Sequence, residues 1–240
     1  MFELPKNKYM KKNLLKTTIV AGILMMVGTA NAQLTYFARG GMNLSNMIVL
    51  DETGAEQKGL SNRTGFQIGG GVDYALNDNM GIELSAMYAL RGATFNYDET
   101  DATLGMQIKF DSKIALHYLE IPINFRYSVE AGSGKLNILA GPKLGFGMSG
   151  KWTGTSSTTF LGQTTTGTID EDMTFGSNDT NDFKTLDFSV GLGVGYEISK
   201  FHFMASYHYG LMNIATNPVD KESNKQNMLS FSVGYRFNED

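Results

Sequence analysis

The sequence predicts an all-β fold, an eight-stranded antiparallel up-and-down β-barrel that crosses a membrane with its strands. Apolar residues alternate with small or polar residues along segments as long as 186–198. The 240 residues include 28 glycines and are only 18% charged, against about a quarter in soluble domains. Short and long connections between the segments also alternate, as in barrels whose two ends face different compartments.

The N-terminal 32 residues have the pattern of a signal peptide. Five lysines between Lys6 and Lys16 precede the apolar run 17–27, which is too short to span a bilayer as a stable helix. Ala30-Asn31-Ala32 is a typical cleavage site, and the next residue, Gln33, is not the cysteine of a lipoprotein. We therefore expect residues 1–32 to be removed and residues 33–240 to form one outer-membrane barrel domain. The alternative is a retained N-terminal anchor.

Composition excludes several kinds of chemistry. The chain has no cysteine, which excludes disulfides, thiolate metal sites and cysteine nucleophiles. A net charge of −4 argues against nucleic acid as the main partner. With 11% aromatic residues, the chain is too apolar for a disordered coil.

The alternation predicts eight strands. It is strictest in 186–198, where Leu186, Phe188 and Val190 begin a series interrupted only by small or charged residues. It is least regular in the first segment. In chain order the predicted strands cover residues 36–44, 66–76, 82–91, 119–129, 136–146, 186–198, 201–211 and 229–237.

The two faces of these strands differ in a way that suits lipid outside and a narrow lumen inside. One face is bulky and apolar, and the other is mainly glycine, serine and asparagine with occasional charges. Aromatic residues collect at one end of the strands, which predicts a girdle at one membrane interface: Tyr36, Tyr74, Tyr127, Tyr196, Phe201 and Phe237. The alternative is a soluble periplasmic barrel of the lipocalin type, with the apolar face inside.

The connections set the predicted orientation. Short turns at 77–79, 130–134 and 199–200 alternate with long connections. Both termini lie on the short-turn side, which we assign to the periplasm, and the long connections are expected outside the cell. These long extracellular loops are predicted at 45–63, 92–113, 150–183 and 213–226.

Four short motifs resemble the PorT-like outer-membrane β-barrels of Bacteroidota. The motif at 118–122, Tyr-Leu-Glu-Ile-Pro, is similar to a strand of that family and is the most specific of them. The segments 40–46, 141–145 and 231–237 are similar to other strands, although three residues follow the final aromatic here. The resemblance covers residues 34–237 and implies the barrel fold. It also raises, as an alternative, an accessory role in a type IX-like secretion machine.

A set of charged residues is expected to point into the lumen. Because an unpaired buried charge is costly, these residues must pair, and Glu120 should pair with Arg91 or Lys143 on adjacent strands. An eight-stranded barrel is just wide enough to be filled by side chains, which favours a structural plug over a gated ion path. The set is Arg39, Asp73, Glu83, Arg91, Glu120, Arg126, Lys143, Glu197 and Arg236.

The connection 150–183 is a candidate interaction surface. It holds the only tryptophan, Trp152, a Thr/Ser/Gly tract, and the acidic run Asp170, Glu171 and Asp172. The alternative is a solvated loop or an extended hairpin without a ligand.

No catalytic, cofactor or metal site is predicted. His202 and His208 share a face, but about 20 Å of strand separates them, so they cannot chelate one metal ion. No Gly-x-Ser-x-Gly motif is present, and an outer-membrane hydrolase or protease is the disfavoured enzymatic alternative.

The sequence thus predicts a non-enzymatic outer-membrane β-barrel with a structural or interaction role through its extracellular loops. A small-solute channel and a secretion accessory remain as alternatives. The expected partners are outer-membrane lipid, the barrel-assembly machinery and periplasmic chaperones during biogenesis, and an unidentified envelope or extracellular protein.

Overall fold

A computed structural model describes residues 34–101, 103 and 105–237, and the predicted signal peptide lies outside this range. No helix within the described ranges is long and apolar enough to cross a membrane. The described residues form nine strands: β1 (Leu34–Leu50), β2 (Leu60–Ala75), β3 (Met80–Asp101), β4 (Met106–Ala131), β5 (Gly134–Phe160), β6 (Gln163–Met173), β7 (Leu186–Ile198), β8 (Phe201–Gly210) and β9 (Ser223–Arg236).

The strands form one antiparallel sheet in the order β4-β3-β2-β1-β9-β8-β7-β5-β6. β4 also pairs with β5, so the order of pairing passes through eight strands and returns to β4. One edge of β5 pairs with β4, and β5 is long enough to pair with two strands along its opposite edge. Residues 135–146 pair with β7, and residues 150–160 pair with β6, which is the additional strand.

The ninth strand and the long β3–β4 pair differ from the sequence prediction, which has eight strands and loops at 92–113 and 150–183. The ladder between β3 and β4 instead continues without a break from Gly92 opposite Ala115 to Asp101 opposite Met106. β5 and β6 form a hairpin whose turn residues, Leu161 and Gly162, both have positive φ. Because the β5–β6 hairpin is rich in β-branched threonine rather than in alternating apolar residues, the apolar pattern does not reveal it.

The sheet has a polar buried face and an apolar exposed face, the reverse of a soluble protein. Arg91, Lys143 and Glu83 are each only 1% exposed, whereas Leu192 is 63% and Met42 is 61% exposed. Such a continuous exposed apolar surface is expected of strands that contact lipid.

An apolar cluster closes one end of the buried face, opposite the short turns. Phe183 and Ile214 come from the connections before β7 and before β9, which fold back over the strand ends. The backbone N–H of Lys184 donates to the carbonyl of Ile214 at 2.8 Å and holds the two connections together. We call this cluster the cap: Met47, Ala93, Leu116, Tyr118, Phe183 and Ile214.

The replacement Ile214→Val is expected to lower the free energy of unfolding by about 0.5–1.5 kcal/mol, because it removes one methylene from a fully buried site. Guanidinium unfolding in detergent micelles, followed by tryptophan fluorescence, measures the change. Val219→Ala is the control, because Val219 lies in the same connection and is 49% exposed. Equal effects of the two replacements would show that the cap is not packed.

Candidate functional site

Among the residues that the structure describes, five cations and five carboxylates lie on the buried face, and only Arg126 of these ten is more than a tenth exposed. All nine charged residues that the sequence places there belong to this set. The tenth is Asp187, which the predicted set omits although it alternates with Leu186 and Phe188. The ten side chains divide into three groups along the strands.

The group nearest the cap contains Arg91, Glu120, Lys143 and Asp187, and we call it the cap-side cluster. Arg91 lies 3.2 Å from Glu120 and 2.9 Å from Asp187. The Lys143 ammonium donates to both oxygens of Glu120 at 3.1 Å. The guanidinium of Arg91 also lies 3.8 Å from the centre of the Tyr118 ring, which joins this cluster to the cap.

The middle group is the central pair, Arg39 and Glu83. Two parallel hydrogen bonds of 3.0 and 2.7 Å join the guanidinium to the carboxylate. The third nitrogen of the Arg39 guanidinium, Nε, donates a hydrogen bond of 2.8 Å to Nε2 of His202. Because Arg39, Glu83 and His202 come from β1, β3 and β8, these bonds connect strands that are not neighbours in the sheet.

The third group lies nearest the short turns, and we call it the turn-side cluster. Arg126 binds Asp73 through two hydrogen bonds of 2.7 and 2.9 Å. Arg236 lies 3.2 Å from Asp73 and 2.9 Å from Glu197. Ser128 accepts a further hydrogen bond from Arg126.

Each group has a net charge of zero at neutral pH, because each contains equal numbers of cations and carboxylates. The fixed charges therefore cancel within each of the three groups along the strands. No group attracts an ion of one sign. Two of the spaces beside the groups are small. One of about 30 Å³ is lined by Arg39, Lys143 and His208, and one of about 10 Å³ lies beside Glu83 and Arg39. Such volumes hold about one or two water molecules.

The two interior histidines lie at different levels. His202 accepts a hydrogen bond from the central pair, and His208 lines the larger space beside the cap-side cluster. Within the ranges that the structure describes, no three His, Asp or Glu side chains are grouped in a way that could hold a metal ion.

The candidate surface at 150–183 is part of a sheet that projects beyond the cap. We define this projecting sheet as residues 94–101 of β3, 106–114 of β4, 151–160 of β5 and 163–172 of β6. Trp152 lies opposite Ile114 and Glu171, so these three share one face. Asp170 and Asp172 lie on the other face.

The polar face of the projecting sheet carries Lys151, Asp170 and Asp172. The Lys151 ammonium lies 2.7 Å from Asp170, and this hydrogen bond raises the pKa of Lys151. Most of the remaining residues on this face are threonines and serines, which hydrogen-bond in cross-strand pairs such as Thr159 with Thr164. The structure therefore divides the four predicted surface residues between two faces of different chemistry.

The opposite face is aromatic. Phe110 contacts Phe95 and Trp152, with ring centres 5.4 and 6.1 Å apart, and Phe95 stacks on Tyr97. This face was not predicted, because residues 92–113 were interpreted as a loop. The signal was present as the alternation of Phe95 and Tyr97 with polar residues. We call it the aromatic face: Phe95, Tyr97, Ile108, Phe110, Trp152, Phe160 and Ile169.

The antiparallel sheet, its polar buried face and its apolar exposed face define the class, a β-barrel protein of bacterial outer membranes. The family model described as "Outer membrane protein beta-barrel domain" matches residues 30–216, and the chain belongs to this family. The comparison with curated proteins found no similar sequence.

Several solved structures resemble this chain at low sequence identity. The attachment invasion locus protein Ail of Yersinia pestis is 16% identical, with 85% of this chain and 99% of that chain covered and a TM-score of 0.39. Neisserial surface protein A is 13% identical, with coverage of 84% and 97% and a TM-score of 0.40. The outer membrane protease OmpT from Escherichia coli is 10% identical, with coverage of 87% and 98% and a TM-score of 0.43.

Proposed function

We propose that this chain is a closed eight-stranded barrel of the PorT-like kind from Bacteroidota, with a signal peptide cleaved after Ala32. Its role is structural or interaction-based, through hairpins on the extracellular side, and it is not an enzyme. The observation that carries the proposal is the set of three neutral charge groups across the buried face. The motif at 118–122 supports the PorT-like assignment.

The charge groups act as a plug because their ion pairs cross the interior. Arg39 joins β1 to β3, Asp73 joins β2 to both β4 and β9, and Arg91 joins β3 to β7. Pairs between strands that are not neighbours require side chains that reach across the lumen, and in an eight-stranded barrel they fill it. The cap then covers the same lumen at the extracellular end.

The same pairs argue against catalysis by the interior carboxylates. A general acid or base must be able to exchange its proton with a substrate. Here Glu83, Glu120 and Asp187 are each bound to a cation and shielded from solvent.

The proposed partners are outer-membrane lipid around the exposed apolar face, the assembly machinery and chaperones during biogenesis, and a protein that binds the projecting sheet.

One observation favours the small-solute channel as a second candidate function. Gly191 and Gly193 line the space of about 30 Å³, so side chains are missing from that part of the wall. A rearrangement of Lys143 or His208 beside this space would enlarge it. The role as a secretion accessory rests on the family resemblance alone.

Planar-bilayer recording of the purified protein tests the closed barrel. We expect no steady conductance above the baseline, because the charge groups and the cap obstruct the lumen. Lys109→Ala is the control for Lys143→Ala, since Lys109 is exposed on the projecting sheet and Lys143 is buried. Reproducible stepwise conductance that changes with Lys143→Ala and not with Lys109→Ala would make the channel the better function.

A further inference from the structure

The aromatic face of the projecting sheet is exposed although it lies beyond the cap, away from the apolar band of the barrel. Tyr97 is 41%, Ile108 is 37% and Phe160 is 50% exposed. This face is on the same side of the strands as Ala93 and Ile114, which pack in or against the cap, so it borders the covered mouth of the barrel. Contiguous exposed apolar surface of this kind marks an interaction site.

The charged residues that the projecting sheet places on the aromatic face are all negative. The strand register places three carboxylates on this face: Glu99 and Asp101 of β3 and Glu171 of β6. Every basic residue within the projecting sheet, as defined above, lies on the opposite face: Lys109, Lys113 and Lys151. Within the projecting sheet, a partner of this face therefore meets aromatic rings and carboxylates, and no lysine or arginine.

We propose that the aromatic face binds a cationic polypeptide segment that also carries apolar side chains. This proposal rests on the proposed function and names the class of its partner. Carboxylates and aromatic rings both attract lysine and arginine, while the partner's apolar side chains would cover Tyr97 and Phe160. A second copy of this chain is disfavoured, because a two-fold contact would set Glu99 and Glu171 against the carboxylates of the other copy.

The positions of the carboxylates set the length of the bound segment. Glu171 and Glu99 lie three strands apart across the sheet, about 14 Å at the usual strand spacing. Along the strands they are six residues apart, about 20 Å at the usual rise. The diagonal of about 24 Å corresponds to an extended segment of roughly eight residues, with cations near both ends.

Trp152 is the only tryptophan of the chain and reports binding directly, because it lies on the aromatic face beside Phe110. The full chain, recovered from outer membranes and reconstituted in phosphatidylcholine vesicles, is titrated with an eight-residue peptide of alternating lysine and leucine. We expect a saturable change in Trp152 emission. Peptides of alternating glutamate and leucine, or lysine and serine, should bind at least tenfold more weakly. Empty vesicles measure the background.

Two double variants separate this face from general acidity. Glu99→Gln with Glu171→Gln is expected to raise the dissociation constant of the lysine–leucine peptide at least tenfold. Asp98→Asn with Asp172→Asn removes the same amount of charge from the adjacent residues on the opposite face. This double variant should change the dissociation constant of the lysine–leucine peptide less than twofold. Replacing Tyr97 and Phe160 with threonine should weaken binding at least fivefold.

Equal losses in the two double variants would overturn the proposal, as would equal binding of the glutamate–leucine peptide. Stronger binding of a neutral oligosaccharide than of the lysine–leucine peptide would show that the face is a carbohydrate platform instead. These outcomes are separate from those of the planar-bilayer recording, which tests the closed barrel.

Discussion

The replacement Arg91→Met is expected to lower the free energy of unfolding by about 3–5 kcal/mol, because it leaves a buried carboxylate without its cation. Arg91 is 1% exposed and is the side chain 2.9 Å from Asp187, which is also 1% exposed. Glu120 retains Lys143 after the replacement. The loss therefore comes mainly from the uncompensated charge of Asp187.

The double variant Arg91→Met with Asp187→Asn should recover a large part of that loss. It leaves the cap-side cluster neutral, with Glu120 and Lys143 still paired, whereas either single replacement leaves one net charge. Lys109→Met is the matched control, since it breaks the ion pair between Lys109 and Asp98. The two side chains of this pair are 53% and 56% exposed. An exposed pair of this kind contributes less than about 1 kcal/mol.

Reversible guanidinium unfolding in detergent micelles, followed by Trp152 fluorescence, gives the free energies of five proteins: the unchanged chain, Arg91→Met, Asp187→Asn, the double variant and Lys109→Met. A strong favourable coupling between Arg91 and Asp187 would support a dry, charge-balanced interior. If Arg91→Met changes the free energy no more than Lys109→Met does, then water fills the interior at this level. The plug would then not explain a closed lumen.

The strands of the apolar band could be predicted from the sequence because burial on one face and exposure on the other impose a period of two. Leu186 to Ile198 follows that period without exception, and the structure places β7 at those residues. β6 could not be found in this way. Its residues, such as Thr164, Thr166 and Ile169, have no buried face that would make apolar residues alternate with polar ones.

The partners of the interior charges were predictable only between neighbouring strands. Glu120 lies beside Arg91 and Lys143 on adjacent strands, and both contact it. The pairs of Arg39 with Glu83 and of Arg91 with Asp187 cross the sheet, so they depend on how far each strand is displaced relative to distant ones. The sequence contains no local signal for that displacement. The cap was missed for the same reason, since Phe183 and Ile214 come from separate connections.

The replacement Leu192→Arg is expected to lower the free energy of unfolding from a bilayer by about 2–4 kcal/mol, because it puts a charge at the centre of a lipid-facing strand. Leu192 is the middle residue of β7 and is 63% exposed. In a protein surrounded by water, a leucine this exposed could be replaced by arginine at almost no cost. The size of the effect therefore measures whether the outer face contacts lipid or water.

Leu161→Arg is the matched control, because Leu161 is 75% exposed at the β5–β6 turn, outside the apolar band. It should change the free energy by less than about 0.5 kcal/mol. Guanidinium unfolding from phosphatidylcholine vesicles, followed by Trp152 fluorescence, compares the two variants. Small and equal effects would mean that water surrounds β7, and the soluble periplasmic barrel would then replace the membrane-spanning one. A large effect at Leu192 alone requires lipid around the middle of the strand, since the two leucines are almost equally exposed and differ mainly in their position along the sheet.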